Sequence, residues 1–482
     1  MYSNSQLTNI RSSMSDIMFK RIELEHYQSF EHISLDLTGP YDVPLGHAFI
    51  YGENGSGKTN LMGSVRFLKD SIDTLSAIDV LSSIRESLKT SGIDETDAVR
   101  KAASELHKAL MDRTEATDLK TIAASRRMIG RDEPMHTRYN FTIGSFDTIY
   151  DMIFDKNGSV IREELKQDSG KRMHRIFLVE SSENGPKMTF SRGLFKNSSL
   201  TRRVSDSVSR LWGAHSLMAI IKEGYLKNNS EFMDTSMDRC VKDILDFIDS
   251  ITTNIQPTNI SASSGPGDLI SGECFTGDKR LMEAYAHALS RFFSRMYSDV
   301  CGVRYIFIEG KDRALRYDLV FDKKIAGTVY EIPARLESSG TRSLISLFPS
   351  LLRCSGGDVA FIDGLGNGIH EKLVCDLVTE ILPGIKGQLI VTTHNTTLLE
   401  TINPKNAFVL RVDSEGFKDS ATLHSICKTQ KNNNNRQRYL NGQFDAIPVI
   451  GTVDLEGIYA GFREDLSDPK VQDCVSRTHP VA

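Results

Sequence analysis

Two periods alternate along this chain, and the points where one gives way to the other mark most of its expected elements. Residues 19–25 and 32–37 carry an apolar side chain at every second position, which predicts two strands. A short apolar run at 48–51 then meets glycine, and 60–68 and 71–88 change to helical spacing. From 86 to 131 the helical spacing persists while the surface turns charged, leaving Ala102, Ala103, Leu106, Ala109 and Leu110 as a thin apolar stripe. That pattern fits an inserted helical lid or a solvated helix pair. Period two returns at 139–143 and 148–154, and Asp155-Lys156-Asn157-Gly158 turns the chain before Val160-Ile161, so an antiparallel β-meander is predicted. Residues 167–209 are weakly patterned. Helices are expected at 212–225, 233–250 and 279–298, with a Ser/Gly/Pro-rich mobile loop at 258–278. Three strand-like runs follow at 303–308, 315–321 and 328–332, then a helix at 341–352 and two apolar strands at 358–363 and 388–395. No repeat of fixed period is present, which excludes a solenoid.

Composition narrows the class. At 482 residues the chain exceeds what one hydrophobic core usually serves, so two or three domains are expected. Its 39% apolar and 25% charged residues are those of a soluble globular protein, and no apolar run is long enough to cross a bilayer. Residues 1–18 are rich in Ser and Asn and lack an apolar core, so they read as a loose leader and not as a signal peptide. The seven cysteines are scattered without metal-ligand spacing, which fits a reducing cytoplasm. A net charge of −5 argues against a globally basic nucleic-acid binder. One local basic stretch, Lys171-Arg172, Lys196, Arg202-Arg203 and Arg210, is interleaved with Glu180, Glu183 and Asp206 and reads better as a solvated loop than as a phosphate track.

The strongest chemistry lies between the first apolar run and the first helix. Gly52-Glu53-Asn54-Gly55-Ser56-Gly57-Lys58-Thr59 fits the phosphate-binding pattern G-x-x-x-x-G-K-[ST] without mismatch, in the required strand–loop–helix setting. Glycines let successive backbone N–H groups and the positive end of the helix converge on one anion. Asn54, Gly55, Ser56, Gly57, Lys58, Thr59 and Asn60 are therefore candidate ATP contacts, with Lys58 on the β- and γ-phosphates and the Thr59 hydroxyl in a Mg2+ shell. A second centre is Ser338-Ser339-Gly340-Thr341, which opens a helix and by itself is a good N-cap. The apolar strand that ends in Asp363 supplies a carboxylate of the kind that supports Mg2+, and the next buried run leads to His394, a candidate γ-phosphate sensor.

The order of these motifs resembles the ABC-type ATPases of the SMC/RecF/OLD branch, and more narrowly the prokaryotic AAA-family ATP-binding proteins of abortive-infection and other antiphage loci. Tyr27-Gln28-Ser29-Phe30, Ile369-His370 and the segment from Arg436 to Pro448 add to that likeness. It implies an α/β fold: an ABC-type P-loop ATPase head, with a mixed sheet and an antiparallel β subdomain, carrying an inserted mainly helical domain. The implied division is a head split over 19–82 and 300–425, a helical lid at 83–137, the meander at 138–166, a helical insertion at 167–299 and a C-terminal tail at 426–482. By the same likeness Ser338 to Thr341 would close over ATP held by a second copy, in a head-to-tail dimer or higher oligomer. Septu-type and retron-associated ATPases, which act with an HNH nuclease, and ATPases paired with a TOPRIM effector are similar in plan, so a separate effector is an expected partner. A nucleic acid remains an open one, and a membrane is not expected.

One departure bears on activity. The family normally places a glutamate after the strand-ending aspartate and a further aspartate in the loop beyond, whereas in the run from Asp363 to His370 glycine stands at both places, Gly364 at the first. A positioned base contributes about 10²–10⁴-fold, so ATP is expected to be bound and kept unless Glu371 or Glu337 substitutes. The alternatives are an ATPase that couples hydrolysis to DNA recognition and a scaffold that has lost nucleotide binding.

Overall fold

The computed structural model describes residues 17–90, 118–168, 170, 172–227, 230–255, 268–310, 314–427, 434–447 and 453–467. Its first strands are β1 (Phe19–Tyr27), β2 (Phe30–Asp36), β3 (His47–Gly52), β4 (Met135–Ile143), β5 (Phe146–Phe154), β6 (Val160–Asp168), β7 (Met173–Glu180) and β8 (Lys187–Phe190). There follow β9 (Thr252–Asn254), β10 (Ser271–Phe275), β11 (Val300–Glu309), β12 (Ala314–Ile325), β13 (Thr328–Pro333), β14 (Val359–Ile362), β15 (Gln388–Thr392), β16 (Ala407–Val412) and β17 (Lys418–Thr422).

The sheet that matters for function runs β17-β16-β3-β15-β14-β9. Every neighbouring pair in it is parallel except β16 with β17. β14 and β15 are buried along their whole length and are continuously apolar apart from Gln388 and Thr392, as strands covered on both faces must be. Gln388 is satisfied across the core: it accepts from Phe19 N (2.8 Å) and donates to Phe19 O and Leu45 O, tying β15 to β1. A seven-stranded antiparallel sheet, β2-β1-β4-β5-β6-β7-β8, packs into the same core through Phe19, Tyr139, Phe141 and Tyr150. A third, antiparallel sheet places β12 between β11 on one side and β10 and β13 on the other. It forms a second core with Leu289 and Phe293 of the helix Lys279–Met296 and with Leu344, Ile345 and Phe348 of the helix Ser339–Ser355. The fold is thus α/β with mixed and antiparallel sheets, as the motif order implied.

Several elements differ from expectation. The two helices read at 60–68 and 71–88 are one, Lys58–Thr90. Residues 167–209 are not a loop: β7 and β8 extend the meander to five strands, β4 to β8, of the seven-stranded sheet, and Ser198–Leu211 is a helix capped by Asn197. The strands escaped notice because only Phe177, Leu178 and Val179 are buried along β7, which hides the alternation. The helix buries Leu200, Val204 and Val208, an i, i+4, i+8 stripe too sparse to stand out among charged neighbours. Trp212 ends that helix and does not begin the next, which is Leu217–Lys227. Asp238 accepts from Cys240 N (2.8 Å) and so splits the expected 233–250 helix into Ser230–Ser236 and Arg239–Ser250. Strand β10 lies inside the stretch read as a mobile loop. The 167–299 segment read as a helical insertion therefore contributes strands to all three sheets. Most of the leader, residues 91–117 of the lid and residues 256–267 lie outside the described residues. Compact units are Met1–Ala446 and Ile447–Ala482, the latter containing the helix Leu455–Ser467.

Candidate nucleotide site

Strand β3 delivers Gly52 into the phosphate loop, and the helix Lys58–Thr90 begins directly behind it. Gly57 has φ +101°, and a Cβ there would stand 2.6 Å from the Phe30 ring, so the turn between β1 and β2 moulds the loop and admits only glycine. From the same turn Ser29 Oγ accepts from Asn60 Nδ2 at 2.7 Å. The Lys58 ammonium donates to the carbonyls of Gly52 and Glu53, both at 2.8 Å, and so helps hold the curled loop. Burial pushes its pKa below the ordinary lysine value, while Asp363 and Glu53 pull it back.

Parallel pairing of β3, β15 and β14 brings their carboxyl ends to one edge, where open α/β sheets place ligands. Asp363 follows β14 there, and its Oδ2 accepts from Thr59 Oγ1 at 2.7 Å. Its Oδ1 accepts from Thr392 Oγ1 at 2.5 Å, and Thr392 Oγ1 in turn accepts from Gly364 N at 2.8 Å. One hydroxyl thereby locks the ends of β14 and β15 together and aims the carboxylate at the phosphate loop. His394 follows β15; burial, and then the charge of Lys58, hold its pKa below the ordinary value, while Asp363 pulls it back. The cleft that results is about 290 Å³. Its lining comes from Asn54, Gly55, Gly57, Lys58, Thr59 and Asn60 of the loop, from Asp363, Gly364, Asn367, Thr392 and His394 of the strand ends, and from Ser29. A phosphate loop facing a strand-ending carboxylate through Thr59 is the arrangement of a P-loop AAA domain.

The chain belongs to the AAA-domain family. That family's model, described as "AAA domain, putative AbiEii toxin, Type IV TA system", matches residues 48–400. No curated protein matches the chain. Among solved structures it is similar to an SMC head bound to the C-winged helix domain of ScpA, with 14% identity, 84% of this chain and 99% of that chain covered, and a TM-score of 0.39. It is also similar to the SMC head domain from Thermotoga maritima (11% identity, 84% and 98% covered, TM-score 0.34) and to the recombination mediator RecF with ATP (11%, 84% and 99%, TM-score 0.37).

In this AAA-domain chain the expected site residues fall into two groups. Those of the phosphate loop, with Asp363, Gly364 and His394, meet in one cleft, except Ser56, which is buried and does not line it. Ser338 to Thr341 do not line it. Ser338 Oγ accepts from Thr341 N (3.1 Å) and caps the helix Ser339–Ser355, and Gly340 lies so close to Gly368 O that a Cβ would stand 2.6 Å from it. Neither carboxylate considered as a substitute base lines the cleft. Glu337 accepts from Lys323 Nζ at 2.8 Å and Glu371 from Thr397 Oγ1 at 2.9 Å. Thr392 and Asn367 line the site without having been singled out. Thr392 stands in the Thr-Thr-His-Asn run, where its position at the end of a buried strand was the available signal; Asn367 is the lone polar residue among three glycines. The segment Asn435–Leu440 packs behind the loop: the Tyr439 ring lies 5.7 Å from that of Tyr51, and Arg436 pairs with Glu400 at 3.2 Å.

Hard oxygen donors suit Mg2+, and Thr59 Oγ1 with Asp363 Oδ2 offer such a pair beside a phosphate loop. Among the described residues no group of three or more His, Cys, Asp or Glu side chains could hold a metal by itself. An ion at Thr59 and Asp363 therefore depends on phosphate oxygens and water for the rest of its shell.

Proposed function

We propose that this chain is the ATP-binding subunit of an antiphage, abortive-infection complex, in which ATP and Mg2+ fix a head-to-tail pair or larger ring that restrains a separate effector such as a nuclease or TOPRIM protein. Lys58 and the loop N–H groups hold the phosphates, Thr59 and Asp363 hold the Mg2+ that neutralises them, and His394 donates to the terminal phosphate. Ser338 to Thr341, exposed at a helix N-terminus apart from the buried Gly340 and Thr341, serve the nucleotide of the second copy. A ligand bound only at the closed interface stabilises it by mass action, so no hydrolysis is needed to hold the assembly. The family's association with AbiEii-type toxins of toxin–antitoxin systems supports a role in growth arrest or defence.

The observation that carries weak or absent turnover is the composition of the cleft. Asp363 is the single carboxylate among its lining residues, and both its oxygens are engaged by hydroxyls. Steady-state ATP turnover with Mg2+, beside equilibrium ATP binding and Lys58→Ala as background, tests this. The expected result is Lys58-dependent binding with turnover indistinguishable from that background. Clear turnover above it would make the chain a working ATPase, and salt-dependent DNA affinity beside that turnover would mark one that couples hydrolysis to DNA recognition.

A further inference from the structure

The loop between Asp363 and His370 is built around one side chain. Gly364, Gly366 and Gly368 have φ of +75°, +96° and +74°, and Asn367 N donates to Gly364 O at 3.1 Å, closing a turn that folds residue 367 back over residue 364. A Cβ added to Gly364 would collide with the Asn367 carboxamide nitrogen. The amide thus occupies the space into which a side chain at 364 would project. It lines the cleft with Lys58, Thr59, Asp363 and His394, it is exposed, and its carboxamide has no hydrogen-bond partner among the described residues.

We propose that Asn367 reads the terminal phosphate: its Nδ2 donates to a γ-phosphate oxygen of a bound nucleoside triphosphate, so that the site tells triphosphate from diphosphate. The assignment rests on the nucleotide-binding reading above and adds to it the residue that senses the third phosphate. Three facts converge on it. The side chain comes from the strand-end loop that also supplies Asp363, facing the phosphate loop across the cleft. A carboxamide donates to an anionic oxygen, yet at neutral pH it neither takes a proton from water nor repels the phosphate. The glycines on either side, each in the left-handed region, are what allow the amide to fold inward. The same loop abuts the Ser339-Gly340 segment through Gly368, so the group that contacts the third phosphate is covalently continuous with the surface that would meet a second copy.

The test is equilibrium binding of ATP and of ADP, each with Mg2+, to the parent, Asn367→Ala and Lys58→Ala, with melting temperatures of all three. Loss of one hydrogen bond to a charged group weakens binding about tenfold or more. Asn367→Ala is expected to lose about that factor for ATP, to keep ADP affinity within about twofold, and to melt with the parent. An unchanged ATP-to-ADP ratio, or equal losses for both nucleotides, would overturn the assignment while Lys58-dependent binding by the parent leaves the nucleotide site standing. If the parent shows no Lys58-dependent ATP binding, both readings fall together. Asn367→Asp supplies a second check, because a carboxylate in the same place repels the terminal phosphate. It is expected to weaken ATP more than Asn367→Ala does, again sparing ADP, and ATP binding as tight as in the parent would contradict the proposal.

Discussion

A glutamate at position 364 does not fit the loop as it stands, because a non-glycine residue at φ +75° is strained and its Cβ meets Asn367. Gly364→Glu is expected to cost roughly 1–3 kcal/mol of stability and to leave ATP turnover at the Lys58→Ala background. A denaturant melt and a phosphate-release assay check this, and turnover rising well above background would show that the loop can reopen. Thr392 makes the complementary point. A single buried hydroxyl, donating to Asp363 and accepting from Gly364, sets the carboxylate in place without touching the phosphate loop.

Sheets and helices are joined by buried charge as well as by apolar packing. Glu163 on β6 is fully buried and accepts from Tyr150 Oη, Trp212 Nε1, Leu217 N and Met218 N, so a strand carboxylate caps the helix Leu217–Lys227. Across β4 and β5, Asp151 accepts from His136 Nε2 at 2.8 Å and from Arg138 Nε at 2.7 Å, with Glu25 of β1 beside His136. Burial disfavours the charged His136 ring, but the bond and charge of Asp151, with Glu25 adding and Arg138 opposing, outweigh it and raise its pKa above the ordinary 6.5. A histidine raised on folding contributes stability that is complete below the unfolded pKa and is lost as pH rises through the folded one. His136→Gln should therefore lower the melting temperature most near pH 6, with the gap to the parent narrowing as pH rises above about 6.5. A constant gap between pH 6 and pH 9 would refute the titration.

For the molecule as a whole, the proposed assembly makes Ser339 informative. Ser339 is exposed at the first turn of its helix, outside the cleft of its own chain, so a long side chain there has room, and a cation costs the fold no more than about 1 kcal/mol against the helix dipole. Mg2+ and ATP are expected to double the mass seen by light scattering, or to raise it further, and Ser339→Arg to abolish that shift while lowering the melting temperature by no more than a few degrees. An ATP-independent mass, or a Ser339→Arg protein that still assembles, would remove Ser338 to Thr341 from the interface. Among the described residues no helix is long and apolar enough to cross a membrane.

The phosphate loop was legible in the sequence because its chemistry is local: glycines, Lys58 and Thr59 act through backbone geometry within eight residues, and period-two and buried apolar runs marked β1, β2, β4, β5, β14 and β15. The positions of Asp363 and His394 at strand ends were legible for the same reason. The pairing order that sets β15 beside β3 and β14 beyond it was not, since β3 and β15 lie more than three hundred residues apart and parallel neighbours share no tight turn. Strands β7, β8, β9 and β10 stayed hidden because short or partly exposed strands carry little alternation of their own and owe their form to the strand beside them. Asn367 shows the same division of labour. The sequence displayed an asparagine among glycines, but only the fold, by turning that loop back over Gly364 and across from Lys58, decided that its amide fills the space a side chain at 364 would need.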